Sequence, residues 1–103
     1  MDRKAAIEKI QRYAELIKGE YTVEMVILFG VWLEELARED DPIEVAVIFD
    51  SIEDDYLEVE KKLHDLGRSI DHRIEPTIIE TERGDMTGFL EEVKENGHII
   101  HQS

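Results

Sequence analysis

Two short apolar runs govern what this chain can become. Val23-Glu24-Met25-Val26-Ile27-Leu28-Phe29 ends at Gly30, and Ile43-Glu44-Val45-Ala46-Val47-Ile48-Phe49 ends at Asp50. Both are β-branched and aromatic, too short for a helix, and apolar at nearly every position, as interior strands are. The second begins just after Pro42, where the missing N–H costs no ladder hydrogen bond.

Helical rhythm appears on either side of these runs. Between Lys4 and Lys18, Ile7, Ile10, Ala14 and Ile17 line one face, and Gly19 supplies a stop. Between Asp54 and Ile70, Tyr56, Val59, Leu63, Leu66 and Ile70 keep the same spacing. Residues 31–38 carry Trp32, Leu33, Leu36 and Ala37 at helical spacing and predict a short helix of about two turns, broken by Asp40-Asp41-Pro42. Arg73 to Ile79 reads as a third strand, and its internal Pro76 places it at a sheet edge or a bulge. Residues 81–86 read as a loop. Thr87 is expected to cap a last helix bearing Phe89, Leu90 and Val93, with Gly97 as its stop and His98-Ile99-Ile100 as a short closing strand. The expected string is α-β-α-β-α-β-α with a tail. It forms one domain over residues 1–103, an α/β (α+β) sandwich of two or three layers whose strand order stays open.

Composition agrees with a single domain. The 103 residues are 42% hydrophobic and 37% charged, enough for one core beneath a charged surface. Twenty-six acidic residues against 12 basic ones leave a formal charge of −14, a field that repels phosphate backbones, so no nucleic-acid partner is expected. Without cysteine there is neither a disulfide framework nor a thiolate metal site. No segment approaches the roughly 20 apolar residues of a membrane span, and Met1-Asp2-Arg3-Lys4 opens no signal-peptide block. The expected location is the cytoplasm.

Strand, glycine, short helix, acidic loop and second strand over residues 25–50 resemble the nucleotidyltransferase superfamily related to DNA polymerase β, in its minimal bacterial and archaeal members. Val26-Ile27-Leu28-Phe29-Gly30 is similar to the strand and glycine opening the family motif. Val45 to Asp50 is similar to its second strand, Arg73-Ile74-Glu75-Pro76 to its third, and Gly88 to Glu92 to its closing helix. The resemblance implies a nucleotidyltransferase-like fold, a small mixed sheet with helices packed against it. It also implies a chemistry: a small residue after the glycine admits phosphates to a helix N-terminus, and an Asp-x-Asp or Asp-x-Glu pair holds magnesium against the triphosphate, with a third carboxylate on a neighbouring strand.

The chain departs from that pattern at the chemical positions. Val31 stands where a Ser or Gly is expected, and Pro42 stands in place of the first metal carboxylate, leaving Glu44 of the pair and Glu75 as the third acid. No register supplies an Asp-x-Asp, and Glu34-Glu35 adds negative charge beside the would-be triphosphate. Catalysis is therefore not expected, nor are magnesium and ATP as cofactors. The leading expectation is a pseudoenzyme, a decayed or redesigned scaffold that binds a protein through an apolar helix face of Trp32, Leu33 and Leu36, with Trp32 as anchor. Weighed about evenly is the alternative that these three side chains turn inward and fill the vacated cleft of a stabilised domain without binding function. A magnesium-dependent transferase resting on Glu44 and Glu75, or an antitoxin-like role beside a helical toxin, follows behind. His98 and His101 read as solvated terminal residues, His64 as part of a charged helix face, His72 as a residue near a helix end, and Ser51 and Thr87 as helix caps.

Overall fold

The computed structural model describes residues 1–84 and 88–103. Asp2 opens the first helix, α1 (Arg3–Lys18), by accepting the Ala5 N–H at 2.8 Å. There follow β1 (Met25–Phe29), β2 (Ile43–Phe49), α2 (Tyr56–Arg68), β3 (Ile74–Glu80), a 3-10 turn (Thr81–Arg83), α3 (Phe89–Asn96) and β4 (His98–Gln102). The strands form one mixed sheet in the order β3-β2-β1-β4. β2 and β3 run parallel across α2, while β1 is antiparallel to both β2 and β4.

Alternate residues of the central strands serve two cores, which explains why they read as apolar throughout. Val26, Leu28, Val45 and Val47 pack with Ile10, Tyr13, Ile17, Val59 and Leu63 of α1 and α2. On the other face Met25, Ile27, Ala46 and Ile48 meet Val93, with Phe89 and Leu90 against them. The sandwich thus has three layers, and the third is one short helix. Tyr13 ties α1 to α2 by donating its hydroxyl to Leu63 O at 2.8 Å, and burial pushes that phenol well above its ordinary range. At Gly67 a Cβ would lie 2.9 Å from Ile74 Cγ2, so α2 approaches β3 closely because that side chain is absent.

Pro76 lies on the outer strand β3, as its chemistry required. β2 has the bounds expected of it, whereas β1 begins at Met25 rather than Val23 and β3 runs on to Glu80. Asp55, not Ser51, caps α2, accepting the Leu57 N–H at 2.9 Å. The expected cap at Thr87 falls outside the described residues.

The helix expected over residues 31–38 does not form. Leu33 and Glu34 both donate to Gly30 O, at 3.1 and 3.2 Å, but Leu36 reaches past them to Val31 O at 3.0 Å while Glu35 takes a left-handed φ of 62°. One turn closes and then stops. The reason is tertiary: the Trp32 Nε1–H donates to Asp41 O at 2.9 Å, and Asp41 in turn accepts the Arg38 N–H at 2.8 Å. A second helical turn would carry residues 36–38 away from those partners.

Candidate functional site

β1 ends at Gly30, whose φ of 85° is costly for any residue with a Cβ. A second constraint acts there: a Cβ at Gly30 would collide with the carboxylate of Glu44, which lies directly against the glycine. The register places Glu44 beside Phe29 of β1 and beside Glu75 of β3, so with a period of two the acids share the sheet face that α3 covers only in part. Burial first, and the neighbouring Glu75 charge second, push the Glu44 carboxyl above the usual carboxylate range. Among the described residues no cation or hydrogen-bond donor answers either side chain.

Past Gly30 the face opens into a cavity of about 180 Å³, walled by Phe29, Leu33, Phe89 and Val93 and rimmed by the exposed carboxylates Glu34 and Glu92. Phe29 and Phe89 meet edge to face, with ring centres 5.4 Å apart.

The loop beside the glycine is fastened from below. Val31 packs against the larger core, and Trp32 is only 4% exposed within it. The Arg73 guanidinium lies over the Trp32 ring at 5.2 Å, donates to Glu39 O, and pairs with Asp71 at 2.7 Å. Lys9 of α1 reaches the same Asp71 at 3.1 Å, and Arg3 donates to Leu33 O at 2.6 Å. The hydrogen bond from Arg73 holds the Asp71 carboxyl well below the usual carboxylate range, against the opposing effect of burial. Sequence reasoning missed Asp71 and Arg73. Their only mark in the chain is an Asp-x-Arg at the entry to a strand.

Of the residues singled out in the sequence, Gly30, Glu44 and Glu75 come together. Pro42 sits exposed just before β2 and adds no donor, and Val31 turns to the core. Trp32, Leu33 and Leu36 do not share a face, which corrects the expected apolar helix face: Trp32 is buried, Leu33 is half-buried against the core, and Leu36 is 72% exposed. Of the two readings weighed for Trp32, the inward one describes its position.

The donors do not fit a magnesium ion carrying a triphosphate. Such an ion demands near-octahedral oxygen ligation, whereas among the described residues Glu44 and Glu75 stand without a third acid. Among the described residues no group of three or more His, Asp or Glu side chains is placed to hold a metal ion.

The fold is nucleotidyltransferase-like. Over 97% of its length, and 83% of the other chain, the protein superposes on a proposed nucleotidyltransferase from Sulfolobus solfataricus with a TM-score of 0.65. At 13% identity this likeness shows a shared fold and nothing of shared chemistry. No family model and no curated protein matches the sequence. Among the described residues, no helix is long and apolar enough to cross a membrane.

Proposed function

We propose that this chain is a nucleotidyltransferase-fold module without transfer activity, a decayed or redesigned scaffold that works by binding another protein. The observation that carries the reading is the position of Glu44. Its carboxylate covers the glycine where, by resemblance, an incoming phosphate would meet backbone N–H groups, and like charges repel at such a distance. The helix whose N-terminus would attract the phosphate is a single stopped turn. Among the described residues no third acid joins Glu44 and Glu75 to hold a metal, and recognition is the role this reading leaves to the same face.

One observation favours a second reading, residual magnesium-dependent transfer: Glu44 and Glu75 stand in register on neighbouring strands, as two members of a metal triad would. Pyrophosphate release from ATP and magnesium, followed with the purified protein, separates the two. The expected rate is that of buffer alone. Release that requires the protein and disappears in Glu44→Gln would replace the first reading with the second.

A further inference from the structure

We propose that the cavity past Gly30 receives an arginine side chain presented by a protein partner. The inference rests on the binding role proposed above and names the chemistry of the partner. Size restricts the occupant first. At about 180 Å³ the cavity is below the roughly 300–1,000 Å³ of small-molecule sites, too small for a nucleotide and suited to one side chain.

Charge and wall chemistry then select which side chain. Glu34 and Glu92 rim the opening, and the Glu44 carboxylate lies against the wall at Gly30 with Glu75 beside it on the sheet. Among the described residues none of these four carboxylates has a cation partner, in contrast to the Asp71 carboxylate, which has Arg73 and Lys9. An anionic group would add to the repulsion among these carboxylates and a neutral one would leave it in place, whereas a cation relieves it. The inner walls are the rings of Phe29 and Phe89 with Leu33 and Val93. A planar, weakly hydrated guanidinium stacks on such rings and can offer paired N–H donors to carboxylates, while an ammonium loses more hydration on entering. The protein already stacks a guanidinium on an indole at Arg73 and Trp32.

The test is a titration of the full chain with N-acetyl-arginine amide, read from the backbone amide resonances of Gly30 and Gly97. N-acetyl-citrulline amide, nearly isosteric but neutral, is the control, and magnesium–ATP is a separate arm. Saturable shifts at both glycines with arginine, absent with citrulline, are expected. A doubly substituted Glu34→Gln/Glu92→Gln chain, altered only at exposed positions, should bind roughly fivefold more weakly with an unchanged thermal midpoint. No saturable shift, equal shifts with citrulline, or undiminished affinity in the double variant would each overturn the proposal. Shifts of the same glycines by magnesium–ATP would instead count against the non-catalytic reading, so the two failures are told apart.

Discussion

At Gly30 two side-chain requirements meet: a positive φ that is costly with a Cβ, and a carboxylate lying where that Cβ would go. Glu44 accepts a cost for this position, since burial and Glu75 raise its pKa above that of the unfolded chain. The sign follows from linkage. A carboxyl whose folded pKa is raised destabilises the fold at neutral pH, and the penalty is relieved as pH falls through the folded value towards the unfolded one. Glu44→Gln should therefore raise the thermal midpoint slightly at pH 7 and leave it unchanged below about pH 4, where both states carry a protonated Glu44. Midpoints measured at the two pH values check this, and a variant no more stable at pH 7 would contradict the penalty placed on the charged Glu44.

At the scale of elements, the loop between β1 and β2 is the part that sequence periodicity misjudged. Trp32, Leu33, Leu36 and Ala37 have helical spacing, but spacing cannot register that the Trp32 indole will donate to Asp41 O or that Arg73, far along the chain, will lie over its ring. These are tertiary contacts, and they override local preference. β2, by contrast, was legible residue for residue, because a strand buried on both faces is apolar at nearly every position, Glu44 being the exception. The three-four rhythm of α2 was legible for a related reason, as a helix facing one core shows its face in the sequence. Gly30, Glu44 and Glu75 could be picked out only through resemblance, and the Asp71–Arg73 clasp not at all, since its partners come from α1, the loop and the entry to β3. Trp32→Ala should remove the centre of the clasp and cost about 3–5 kcal/mol of stability, read by denaturant unfolding. In the intact protein the indole should be shielded from iodide quenching. A variant as stable as the parent, or a freely quenched indole, would contradict the buried position.

For the whole molecule, the sheet with α1 and α2 forms a full core, while α3 leaves the far end of the second face open. Among the described residues that end holds carboxylates without a cation partner, aromatic walls and a stapled loop. A net charge of −14 reinforces the same preference, drawing cations and opposing a triphosphate. The central claim is that the seat over Gly30 is closed to nucleotide, and calorimetric titration of magnesium–ATP into the intact protein at near-physiological salt tests it most directly. Heats indistinguishable from dilution are expected; saturable binding in the micromolar range that is lost without magnesium would contradict it.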